Sequence, residues 1–319
     1  MDPQPPTPLS SLLKVLVRLG ISAALLYLVL RSIDLAAFWE RVRGMNPLWI
    51  LLALGAYSLT QTVAVWRWQR LLRAQHVEVD RDKLTESIWV SLFFNNFLPS
   101  NIGGDVIRIA DTAEAAGSKT LATTVIVVDR ALGLTALILI AASGAFAASL
   151  FGVHMPGARW LFATTAAGLA AAIFVIAIPQ LVGHILKPVR ALNRPWITER
   201  AQRLEDAVNK FRKAPAALAG AFGGAIVVQI TIVAFYLLTA LGLSVPIPIF
   251  LGAVLIPVSL VVQMAPISIN GFGVREAVFA FFFRRFGLPA EAAVALSLVS
   301  TGLVMGLSLV GGFLFLRRR

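Results

Sequence analysis

Long apolar runs separated by short polar connections dominate the chain. A helix that crosses a bilayer needs about 20 mostly apolar residues. Six segments meet this: 12–30, 47–66, 119–150, 160–179, 216–242 and 290–316. Two further apolar stretches, 84–116 and 248–287, are interrupted near their middles. The first break runs from Leu98 to Asp105 and contains Pro99, Gly103 and Gly104; the second runs from Ala265 to Gly273 and contains Pro266, Gly271 and Gly273. Proline removes a backbone donor and glycine admits unusual dihedrals, so a helix stops at each place. Inside a bilayer such a break is tolerated only where protein or a wet cavity covers it. The pattern predicts an all-α, polytopic membrane protein with about six spanning helices plus two re-entrant broken helices.

Lysine and arginine set the expected orientation. They gather before the first span (Lys14, Arg18), after the second (Arg67, Arg70, Arg73, Arg81, Lys83), through 180–215, and at Arg317–Arg319. The connections 151–159 and 243–247 carry one basic residue and none. The positive-inside rule then puts the basic segments and both termini on the cytoplasmic side. This closes only if each broken stretch returns to the side it came from. The halves 12–150 and 160–316 then read alike from opposite sides: span, span, broken stretch, span. Paired breaks in corresponding places of inverted halves point to a transport site at mid-membrane. Residues 1–11 form a Pro-rich tail expected to be disordered, 12–316 a single transmembrane domain, and 317–319 a basic tail. The run 12–30 ends in Arg31 without a small-residue cleavage site and reads as a retained span. Residues 32–44 mix apolar and charged positions as an interfacial helix does.

Composition agrees. Hydrophobic residues make up 58% and charged residues 14%, against about 25% charged in soluble domains. The net charge of +12 sits in loops and tails, which argues for topology and against nucleic-acid binding. With no cysteine and three scattered histidines, thiolate chemistry is excluded, and no metal site or cofactor is expected.

An ionisable side chain at the bilayer centre costs about 3 kcal/mol even on the mild insertion scale, so each needs a reason. The candidates are Asp105, Arg108, Asp129, Arg130, Arg275 and Glu276. Asp105 caps the second limb of the first break, or binds; Arg108, three residues on, pairs with Asp105 or holds a phosphate, which a guanidinium matches well. Arg275 occupies the corresponding place in the second half, and Glu276 beside it points to another partner. Asp129 and Arg130 lie deep in a span, as a structural ion pair with the broken stretches or as part of a lipid or proton path. Each second limb opens with unsatisfied N–H groups and a partial positive charge, an anion site. Inverted halves would bring two such sites together. Asn95, Asn96, Asn101, Gln263 and Asn270 would meet the rest of a headgroup or satisfy the broken backbone.

The segments Phe94–Arg108, Val128–Leu134 and Pro266–Glu276 together resemble the transmembrane region of lysylphosphatidylglycerol synthases, a flippase-like family, in order over about residues 12–316. The resemblance implies a lipid flippase that moves a phosphate-containing modified lipid between leaflets, with Asp105, Arg108, Arg130, Arg275 and Glu276 at the family's polar positions. Members that make aminoacyl lipids carry a soluble synthase domain after the membrane part. This chain ends at Arg319, so a stand-alone member without enzymatic activity is expected, and such members are implied in handling polyprenyl-linked sugars, hopanoids or glycolipids. The expected partner is a membrane lipid with an anionic phosphate headgroup. The alternative reading is a headgroup transferase, or an accessory protein working with a lipid-modifying enzyme or glycosyltransferase.

Overall fold

The computed structural model describes residues 20, 23–24, 27–28, 31, 34–98, 103–153, 157–177, 195–245, 247–264 and 271–318. The predicted first span, the tail 1–11, and Pro99, Asn101, Pro266 and Asn270 therefore lie outside the described residues, apart from isolated positions of that span.

Eleven helices occur among the described residues: α1 (Leu35–Arg43), α2 (Pro47–Arg73), α3 (Arg81–Phe97), α4 (Gly103–Ala113), α5 (Lys119–Leu150), α6 (Ala158–Ala177), α7 (Pro195–Lys213), α8 (Pro215–Gly242), α9 (Ile249–Met264), α10 (Val274–Arg285) and α11 (Ala290–Arg317). The protein is an all-helical, multi-pass membrane protein. Helices α2, α5, α8 and α11 are long and apolar enough to span a bilayer. The two interrupted stretches are the pairs α3/α4 and α9/α10, and the predicted 32–44 element is α1, capped by the Asp34 carboxylate on Ala36 and Ala37. Helix α2 runs seven residues past the expected end at 66, because Arg67 finds a buried partner and Arg70 and Arg73 suit the negative end of a helix dipole.

Helices α2 and α8, the second spans of the two halves, pack together along their lengths, with a hydrogen bond from Thr60 Oγ1 to Thr231 Oγ1 of 2.8 Å buried between them. Around this pair the contacts are exchanged. Helix α3 of the first half packs on α11 of the second, and α9 of the second packs on α5 of the first. Glycines permit both approaches. A Cβ on Gly144 of α5 would lie 2.8 Å from the Cβ of Ala253 on α9, and one on Gly311 of α11 would collide with the Trp89 carbonyl of α3. Gly144 stands as many residues beyond Arg108 as Gly311 stands beyond Arg275. Packing and sequence spacing thus repeat together.

In each broken stretch the two helices that flank the break pack on each other, and each pair is called a hairpin below. Ser91 Oγ donates to Gly104 O at 2.8 Å, and a Cβ at Gly104 would lie 2.5 Å from the Ser91 carbonyl, so only glycine lets α4 lie along α3. The open end of this hairpin is closed by Arg318, which donates to Glu86 at the start of α3 (2.5 Å) and to Asp111 near the end of α4 (3.1 Å). Both ends of the first hairpin therefore meet the C-terminal end of α11. Partial burial opposes the Arg318 charge, but Glu86 and Asp111 outweigh it and raise the pKa of the guanidinium above its ordinary value.

Two apolar cores hold the ends of the bundle. One joins the end of α2 (Trp68, Leu71, Leu72) to Leu84 of α3, Val125 of α5, Phe211 of α7 and Leu218 of α8. The other joins Phe235 and Tyr236 of α8 to α9, Phe279 and Phe283 of α10, and the start of α11. The helix ends that meet in the first core carry Arg70 and Arg73 of α2 and Lys210, Arg212 and Lys213 of α7, and this end of the bundle is called the basic end below. Fully burying one Leu or Phe contributes about 1.5–3 kcal/mol in water; in lipid, close packing and polar pairing take over that role.

Candidate functional site

Helices α2, α3, α4, α5, α8 and the last residue of α9 surround a cavity of about 290 Å³ beside the basic-end core. Its polar lining includes Gln61, Arg67, Asn95, Asp105, Arg108, Asp129, Arg130 and Gln229. Five of the seven expected residues of the first half, Asn95, Asp105, Arg108, Asp129 and Arg130, thus come together around one space.

Their pairing is crosswise. Asp129, 1% exposed, accepts from Arg67 Nε on Oδ1 at 2.6 Å and from Arg108 Nη2 on Oδ2 at 3.1 Å. Asp105 accepts from Arg130 instead. The expected Asp105–Arg108 pair is therefore corrected: each side chain of α4 turns to α5, so the Asp129-Arg130 dipeptide ties the hairpin to the span. The Gly104 N–H donates to Asn95 Oδ1 at 2.8 Å, so among the described residues α4 opens on an amide already taken by the protein. Arg108 also lies over the Trp68 ring, 4.3 Å from its centroid.

The cavity lining holds three guanidinium groups, those of Arg67, Arg108 and Arg130, against two carboxylates. One positive charge is left over. Among the described residues, Arg67 Nη1 and Arg108 Nε are buried donors with no acceptor. A buried donor left unpaired costs about 1–3 kcal/mol, more when charged, so an arriving anion gains what the protein does not supply.

The second half builds a separate polar centre near the other core. Arg275 and Glu276, which the sequence suggested would seek different partners, bind each other at 3.2 Å and share Ser297 of α11. Arg275 Nε donates to Ser297 Oγ at 2.8 Å, and Ser297 Oγ donates to Glu276 Oε1 at 2.6 Å. Glu276 Oε2 accepts from Gly273 N at 2.6 Å, which caps α10. Gly271 before it has φ +74° and lies so close to Gln263 that a Cβ would overlap that side chain. The Arg275 guanidinium also lies beside Tyr236 of α8. Tyr236 and Trp68 stand equally far beyond the prolines, Pro215 and Pro47, that open their helices. Each half therefore sets its hairpin arginine against an aromatic residue of its second span and a polar residue of its last span.

Arg275 and Glu276 are not among the described residues that line the cavity of Arg108, and the tips of both breaks, 99–102 and 265–270, lie outside the described residues. The starts of α4 and α10 are capped internally, by Asn95 and by Glu276, and the positive charge of the cavity comes from side chains. Asn96 donates to Leu92 O and Gln263 to Ser259 O within their own helices; neither lines the cavity. Arg67, Gln61 and Gln229 were missed by the sequence reading, and Gln229 Nε2 donates to Gly133 O across α8 and α5 at 3.3 Å.

The family described as the lysylphosphatidylglycerol synthase TM region matches residues 15–312. The chain belongs to this family. Within this member of the lysylphosphatidylglycerol synthase transmembrane family, the match covers both hairpins, the charged cavity and the second polar centre. No curated protein matches the chain.

Proposed function

We propose that the protein moves a lipid with an anionic phosphate headgroup between the leaflets of a bacterial inner membrane, using the charged cavity as the headgroup site. The observation that carries this reading is the excess positive charge of the cavity, with Arg67 Nη1 and Arg108 Nε lacking acceptors among the described residues. Guanidinium groups match phosphate oxygens in geometry and charge. An uncompensated cation among apolar helices needs a function or a ligand.

The basic end faces the cytoplasm on this reading, by the positive-inside rule. Arg67 then sits about 9 Å, and Asp129 about 15 Å, from that end at 1.5 Å rise per residue. The α3/α4 hairpin enters from the cytoplasm and returns to it, as the shared bond of its two ends to Arg318 supports. The α9/α10 hairpin enters from the other face. A headgroup would exchange its water for guanidinium donors at this depth. The chain acts as a transporter and not as an enzyme, since the carboxylates of the site are engaged with arginines.

The test is leaflet exchange of a fluorescent phosphatidic acid in liposomes, read by chemical quenching of the outer leaflet. Wild-type protein exchanges the probe and Arg108→Ala does not. Equal exchange by both proteins overturns the phosphate site. Exchange that starts only when a lipid-modifying enzyme is added would favour the accessory role.

A further inference from the structure

A second cavity lies further along the same helices. It has a volume of about 570 Å³ and an almost wholly apolar wall that includes Ile140, Ala147, Phe151, Ile230, Val233 and Ile249. One stripe of α5 runs through both spaces: Gly133, Leu134 and Leu137 line the charged cavity, and Ile140, Gly144, Ala147 and Phe151 line the apolar one. This is the three- and four-residue spacing of a single helix face. On α8 the neighbours Gln229 and Ile230 divide between the two spaces. Helix α9 runs antiparallel to α5: Met264 at its end lines the charged cavity, Ile249 at its start lines the apolar one, and Ala253 between them meets Gly144. The two cavities follow one another along one face of α5, with α8 and α9 beside both, and the apolar one is called the trough below.

We infer that this trough holds the hydrocarbon chain of the lipid whose phosphate occupies the charged cavity, an inference that rests on the function proposed above. The wall offers almost nothing to a polar occupant, whose donors and acceptors would be left unpaired. The trough begins at Ile140, one helical turn beyond Leu137 of the charged cavity, and leads away from the basic end, the direction in which the chain of a lipid with its headgroup on that side points. Ile230, Phe151 and Ile249 are exposed, so the trough opens sideways to the hydrocarbon and a chain can enter without leaving the bilayer. From Ile140 to Phe151 the apolar floor measures about 16 Å at 1.5 Å per residue. Half of a bilayer core is about 15 Å. The trough therefore matches the chain length of one leaflet, so a tail can lie along it while the headgroup is held by the arginines.

Photolabelling of the full protein in liposomes tests this with two phosphatidic acid probes, one with a diazirine beside the phosphate and one with it at the end of a long acyl chain. A diacylglycerol with the same chain-end diazirine reports ordinary contact with bulk lipid. The headgroup probe is expected on peptides containing Gln61–Arg67 and Asp129–Leu137. The chain-end probe is expected on Ile140–Phe151 and Ile230–Val233, at least threefold above the diacylglycerol. Ala147→Trp, which fills the trough, and Ile230→Trp, which fills it from the exposed side, should each return chain-end labelling to the diacylglycerol level while headgroup labelling stays at wild type. Headgroup labelling of the cavity with chain-end labelling no higher than the diacylglycerol overturns the trough and leaves the phosphate site standing. Absence of headgroup labelling at the cavity overturns both.

Discussion

Arg67 of α2 and Asp129 of α5 meet at 2.6 Å inside the bundle, and the other oxygen of the same carboxylate holds Arg108. One aspartate thus fixes two cations from two helices. Asp129→Asn is predicted to strand both. Removing one partner of a buried pair costs about 3–5 kcal/mol, so thermal unfolding in detergent should shift down by that amount. Adding Arg67→Gln to the same chain should recover part of the loss, because one stranded charge goes. An Asp129→Asn protein as stable as wild type would show that the ion cluster does not hold the helices.

Gly104→Ala is predicted to open the first hairpin, since its Cβ would press on the Ser91 carbonyl and the Asn95 amide. Forced overpacking costs about 1–3 kcal/mol. Gly223→Ala is the control: it is helical, with open space around the added methyl, and should be neutral or slightly stabilising. Unfolding midpoints that change alike in both variants would contradict the close approach of α4 to α3.

Arg318→Gln should release the open end of the same hairpin. Partly exposed bridges contribute about 1 kcal/mol or less, so global stability will change little. Hydrogen exchange should rise at the start of α3 and the end of α4. The raised pKa of Arg318 means that its contribution is in place below the ordinary arginine pKa and is lost only above the folded value. Its own titration will therefore not alter the latch through the neutral range. Unchanged exchange in the variant would show that the bridge does not restrain the hairpin.

Ser297→Ala takes one hydroxyl from both Arg275 and Glu276. A buried polar group left short of a partner costs about 1–3 kcal/mol, so stability should fall by that much. Photolabelling of the charged cavity by the headgroup probe should stay at wild type, because the second polar centre lies outside that cavity. Loss of headgroup labelling would mean that the two centres act together.

The hydropathy pattern alone located α5, α8 and α11 to within a residue or so at each end, because long apolar runs have only one way to be covered in lipid. The breaks were legible for the same reason, through Pro99, Gly103, Gly271 and their neighbours. Partners were harder. Asp105 and Arg108 share a helix face, which suggested a local pair, yet both reach α5, whose position no local pattern reveals. Arg67 was hidden by company: with Arg70 and Arg73 it looked like one more loop cation, and only the length of α2 turns it inward. Gln61 and Gln229 were legible in principle, as amides inside apolar runs that lipid would not tolerate unpaired.

The exchanged packing of α3 on α11 and of α9 on α5 also dictates an order of assembly. A nascent chain emerges from its N-terminus, so the first hairpin is made long before the helix on which it rests. Until α11 is inserted, Trp89 and its neighbours on α3 lack the surface they pack on, and the early half of the protein waits, unfinished, for a helix of the second half.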